Sequence, residues 1–115
     1  MDKVDTNEIK KLITHVIAEV VEYKPNSMVN KVIIKKPTGN IMVMSFDSGT
    51  EYTEQISPFD TFFLIIEGRA EIWLDGRLNL LQSGEGIIIP AQHRKSINAR
   101  ERFKMIVAVI KSGYE

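Results

Sequence analysis

Side chains able to do chemistry are scarce in this chain, and their types already narrow the field. There is no cysteine, so disulfides, thiolate metal sites, iron–sulfur clusters and a cysteine nucleophile are excluded. His15 and His93 are the whole supply of imidazole, the commonest metal ligand once thiolates are gone. No glycine-rich phosphate loop, Ser-His-Asp set or EF-hand pattern occurs. The zero formal net charge hides a segregation. Asp47, Glu51, Glu54 and Asp60 fall in one stretch without Lys or Arg, whereas Arg94, Lys95, Arg100, Arg102 and Lys104 fall in another opposed only by Glu101. Such stretches either pair across strands, at roughly 0.2–1 kcal/mol per pair, or build a polar pocket for an anion.

The elements that must position these groups read as almost entirely β. The 115 residues make one domain, and the 43% hydrophobic content is ordinary for a globular chain. Asp5 and Glu8 form a capping-box-like start. Ile9, Leu12, Ile13, Val16 and Ile17 follow as an apolar stripe, which predicts an N-terminal helix ending near His15. After the turn cluster Lys24-Pro25-Asn26-Ser27, strands are predicted at 29–36, 41–46, 62–66, 70–74, 78–81, 87–89 and 104–110. Met42, Met44 and Phe46 share one strand face. The near-continuous run Phe62 to Ile66 reads as buried on both faces, and Phe62, Phe63, Leu64 and Trp73 read as core. Asp75-Gly76 is the dipeptide of a tight type I′ hairpin. About eight short strands at this spacing predict an all-β sandwich or barrel.

Two segments then resemble the paired motifs of the cupin superfamily. Gly49 opens and Gly68 closes the first. There Ile65-Ile66-Glu67-Gly68-Arg69-Ala70-Glu71-Ile72 is similar to the family signature. Gly84-Glu85-Gly86-Ile87-Ile88-Ile89-Pro90-Ala91 is similar to the first half of the second motif, and Arg102-Phe103-Lys104-Met105 to the ending of small single-domain cupins. The resemblance spans about residues 29–111. It implies a double-stranded β-helix (jelly-roll) barrel over 27–112, preceded by a helix and connecting segment over 1–26. It also implies four metal-ligand positions, three histidines and a glutamate. Here they hold Gln55, Ser57, Thr61 and Lys95, with Gln92 in place of the second motif's glycine. None suits a divalent transition metal, and an ammonium repels one.

The resemblance therefore implies a cupin without its usual cofactor metal. The expected function is binding of a small polar or anionic organic ligand, with Lys95 as anchor flanked by Gln55, Ser57 and Thr61. His93 joins the candidate ligand-binding set because it shares strand parity with Lys95. A buried Lys95 needs a carboxylate partner, for which Glu54 and Asp60 are candidates. Two alternatives stand beside this reading. One is a metal-dependent enzyme of dioxygenase or isomerase type, with a divalent metal at His93 and Glu54, Asp60 or Gln55. The other is a non-catalytic interaction module whose barrel is filled by its own side chains. The Val29 to Lys36 strand is expected at a sheet edge and, with the helix, to support a homodimer. Balanced charge speaks against nucleic acid, no apolar run reaches membrane-spanning length, and the lack of cysteine fits a cytoplasmic location.

Overall fold

Alternating apolar and polar side chains, punctuated by turn residues, build ten strands and one short helix among the described residues, which are 3–5, 8–54 and 56–113 of the computed structural model. The strands are β1 (Lys3–Asp5), β2 (Met28–Lys36), β3 (Gly39–Phe46), β4 (Glu51–Glu54), β5 (Asp60–Glu67), β6 (Arg69–Leu74), β7 (Arg77–Gln82), β8 (Gly86–Ile89), β9 (Lys95–Asn98) and β10 (Phe103–Ile110). They form a six-stranded sheet ordered β1-β2-β3-β10-β5-β8 and a four-stranded sheet ordered β4-β9-β6-β7. All neighbours are antiparallel except the β1–β2 pair. Inward-facing side chains of both sheets make one core, the arrangement of an all-β jelly roll.

Register explains how the interior is divided. Phe46 stands opposite both Met28 and Phe103, and the Phe46 and Phe103 rings stack at 4.6 Å. Tyr52 packs edge-on to Phe46, so aromatic rings close this end of the barrel. The next inward rows across β3, β10 and β5 are Met44–Met105–Ile65, Met42–Val107–Phe63 and Asn40–Val109–Thr61. The rows thus turn polar toward the other end. Trimming and turning are local matters. Asp75 and Gly76 both have positive φ, as the predicted type I′ hairpin requires.

Three expectations are corrected. The helix predicted from Asp5 does not form. Residues 3–5 pair with β2 instead, Leu12 has φ +68°, and the only helix among the described residues is α1 (Ile17–Val20). An isolated helix of that predicted length is marginal in water, and the stripe gains no burial: Leu12, Ile13 and Val16 are exposed. The following segment is held by the sheet instead. Ser45 Oγ donates to the Glu22 carbonyl, and Lys104 Nζ donates to that of Ala18. The second correction concerns β5, which is buried on one face only. Thr61, Phe63 and Ile65 point inward, whereas Phe62 is exposed, as is Trp73 on β6. Thirdly, β2 is not simply an edge, because β1 covers Val29 to Lys31.

Gly68, between β5 and β6, is a position only glycine satisfies. Its φ is +78°, and a Cβ there would lie 2.5 Å from the Arg102 carbonyl oxygen. Gly68→Ala is expected to cost at least about 1–2 kcal/mol from the left-handed backbone alone. Thermal denaturation checks this, and an unchanged Tm would contradict the assignment.

Candidate functional site

The polar end of the interior opens into a cavity of about 430 Å³. Met42, Met44, Phe63, Met105, Val107 and Val109 supply its apolar wall from β3, β5 and β10. Ser57, Thr61 and Lys95 line it as well. Thr61 is inward because β5 alternates, and it is 5% exposed. Lys95 opens β9 and stands opposite both Glu54 of β4 and Leu74 of β6, which places it in the middle of its sheet at 2% exposure. An ammonium so deep requires an anion or strong acceptors close by. Ser57 sits in the β4–β5 loop. Its Oγ accepts from the Phe59 N–H at 3.2 Å, and its carbonyl accepts from Gln92 N–H at 2.7 Å, which ties the two loops at this end together.

Other residues singled out from the sequence lie elsewhere. Gln55 falls outside the described residues. His93 does not line the cavity, contrary to the expectation that it joins Lys95 there. Its Nδ1 meets Asp75 Oδ2 at the β6–β7 hairpin. Asp75 also accepts from the Arg94 N–H at 3.1 Å, and its own N–H donates to the Arg94 carbonyl at 3.0 Å. The loop leading into Lys95 is thereby fastened to a rigid turn. Asp60 Oδ1 accepts from the Ala91 N–H at 2.8 Å and so fixes the same loop from the other sheet.

The charge segregation resolves into separate uses. Arg102 pairs with Asp47 at 3.0 Å, Arg100 with Glu71, and Lys104 approaches Glu67 at 3.8 Å. These ion pairs lie outside the barrel, and exposed ones are worth little. Lys95 belongs to the interior instead. Tyr23 joins the outer cluster by donating to Glu67 Oε2 at 2.6 Å. Burial, reinforced by that carboxylate, pushes its phenol well above the usual range.

Sequence reasoning missed Asn30 and Asn40, which line the cavity from β2 and β3. Their Oδ1 atoms are buried and have no hydrogen-bond partner among the described residues. A signal was available: Asn30 alternates with Met28 and Val32, and Asn40 with Met42 and Met44, so each is a polar residue at an inward strand position. Lys111, which also lines the cavity and lies over the Phe59 ring, was missed because it follows the last strand.

Among the described residues, no group of three or more His, Cys, Asp or Glu side chains could hold a metal ion. At the positions where the cupin pattern places donors, the described side chains are hydroxyls and an ammonium, a set that does not fit a divalent cation.

The two-sheet barrel with an internal cavity is an arrangement that recurs among solved structures. A conserved protein of unknown function from Streptococcus pyogenes is 27% identical with a TM-score of 0.86, covering 93% of this chain and 94% of that one. A cupin superfamily protein from Desulfitobacterium hafniense is 23% identical with a TM-score of 0.83, covering 90% of this chain and 95% of that one. Salicylate 1,2-dioxygenase from Pseudoaminobacter salicylatoxidans is 18% identical with a TM-score of 0.67, covering 72% of this chain and 26% of that one. No protein-family model matches the chain, and no curated protein does. The chain shares the fold of these proteins, including that of the cupin superfamily protein. No helix among the described residues is long and apolar enough to cross a membrane.

The hairpin clasp carries a pH prediction. The His93 ring, then the Arg94 N–H, hold the Asp75 carboxyl below its ordinary value of 3.8. A lowered folded value means that the stabilisation is complete above the unfolded value and disappears as pH falls through the folded one. Asp75→Asn keeps a residue favoured in the turn. It should lower the urea midpoint at pH 7, with the difference from wild type closing as the pH falls through the lowered folded value of Asp75. A difference that persists undiminished in acid would contradict the clasp.

Proposed function

We propose that the barrel binds a small organic anion directly, with Lys95 rather than a metal ion as its anchor. The carrying observation is Lys95 itself, buried in the wall of a ligand-sized cavity beside Ser57 and Thr61. Small-molecule sites typically combine an apolar wall with a few convergent polar groups, and this wall has that make-up. The cavity also speaks against an interior filled by its own side chains. A metal-dependent reaction centred on His93 gains no support from the geometry, because His93 is engaged with Asp75 away from the cavity.

Lys95→Met tests the reading with a side chain of similar length. Loss of a charge-assisted hydrogen bond of about 1.5–3 kcal/mol predicts roughly 10- to 100-fold weaker binding of simple carboxylates, with benzoate as the first probe in calorimetry. A thermal melt of the variant checks that it is folded before its binding is read. Undiminished benzoate affinity in Lys95→Met would contradict the role. Stoichiometric manganese, iron, nickel or zinc in protein purified without chelators would contradict the metal-free reading.

A further inference from the structure

The polar groups of the cavity are not gathered at one point. Thr61 shares a row with Asn40 through Val109, and the loop leading into Lys95 is hydrogen-bonded to Ser57 and to Asp60, the neighbour of Thr61. These groups mark one end. Asn30 belongs to the row of Met44, Met105 and Ile65, four residues along β5 from Thr61. At the strand rise the two rows lie about 13 Å apart along the strand direction, and Asn30 on β2 is also three strands across the sheet from Thr61 on β5.

The Asn30 amide oxygen is buried without a partner among the described residues, between methionines rather than polar neighbours. An unpaired buried acceptor destabilises the protein that carries it. Such a group calls for a specific explanation, and a donor on a bound molecule supplies one. Asn40 is equally unpaired, but it lies in the Thr61 row, where rotation of its amide turns Nδ2–H toward an anion. Met42, Val107 and Phe63 in the row between the two ends, with Met44 and Met105 beside Asn30, form an adaptable apolar wall suited to a flat or flexible body.

We propose that the barrel selects an organic acid bearing a hydroxyl or amino donor at the end remote from its carboxylate, and that Asn30 reads this donor. The inference rests on the anion-binding reading and adds a second point of recognition to it. Specificity of this kind is strong when a site built to hydrogen-bond a group meets an analogue lacking it.

Calorimetry with two matched pairs tests it: benzoate against 4-hydroxybenzoate, and hexanoate against 6-hydroxyhexanoate. Wild type should bind the hydroxylated member of at least one pair tenfold or more tightly. Asn30→Leu should erase that preference while keeping affinity for the plain acid, and should melt at or above wild type in the absence of ligand. Equal binding within both pairs by wild type would overturn the inference while leaving Lys95 as anchor. So would a preference that survives in Asn30→Leu, or a drop in the melting temperature of that variant, which marks the amide as structural. Failure of all four acids to bind wild type would overturn the anion-binding reading itself, and this inference with it.

Discussion

A lysine ammonium taken out of water needs something to face. In this barrel that constraint organises the polar half of the molecule. Lys95 is 2% exposed, in the middle of a sheet, on the wall of a cavity whose other side is apolar. Leaving such a charge without compensation costs several kcal/mol in effective terms, so its surroundings must supply acceptors or an anion. Glu54 stands opposite it in register, and the loops around it are fixed by the Asp75, Asp60 and Ser57 hydrogen bonds. On the present account a bound organic acid joins these groups as a further partner of Lys95.

The rest of the fold serves that arrangement by packing one end and leaving the other open. The stacked Phe46 and Phe103 rings, with Ile65, Ile72 and Ala99 fully buried nearby, form the dense end that stabilises the two-sheet structure. Moving along the strands, the inward rows pass through methionine to asparagine and threonine. Core density falls and hydrogen-bonding capacity rises along one axis, the gradient a binding site needs on a rigid scaffold. Outside, the ion pairs of Arg102, Arg100 and Lys104 and the Tyr23–Glu67 hydrogen bond hold the N-terminal segment and the strand ends rather than the site.

Much of the fold is readable in the sequence because turn chemistry and strand period are local properties. The Asp75-Gly76 hairpin and the strands at 29–36, 41–46, 70–74, 78–81, 87–89 and 104–110 follow from them. Three strands were not recognised, Lys3–Asp5, Glu51–Glu54 and Lys95–Asn98. Each is short and mostly polar, so alternation is too brief to stand out, and only their neighbours in the sheet make them strands. The missing helix has the opposite cause: its periodic stripe is real, but residues 3–5 pair with β2, Glu8 accepts from the Lys35 N–H, and Leu12, Ile13 and Val16 have no apolar face to cover them. Phe62 and Trp73 show that an apolar side chain on a strand does not reveal its face without the register. For the site, motif spacing pointed to Ser57, Thr61 and Lys95, which the fold does bring to one cavity. Asn30 and Asn40 lie outside those motifs; strand alternation marks them as inward, but only the structure shows their Oδ1 atoms without a partner among the described residues. Nor could motif spacing show that Asp75 holds His93 aside.

The central claim concerns what occupies the space beside Lys95, so the most direct measurement is a high-resolution electron-density map of the barrel interior. The crystals should come from protein purified without chelators, with anomalous data collected at the manganese, iron, nickel and zinc edges. The account predicts density for an organic acid within hydrogen-bonding distance of Lys95 Nζ and no anomalous peak in the cavity. An anomalous peak coordinated by cavity residues would contradict it, as would a Lys95 ammonium turned away from the cavity in a map whose interior holds only side chains.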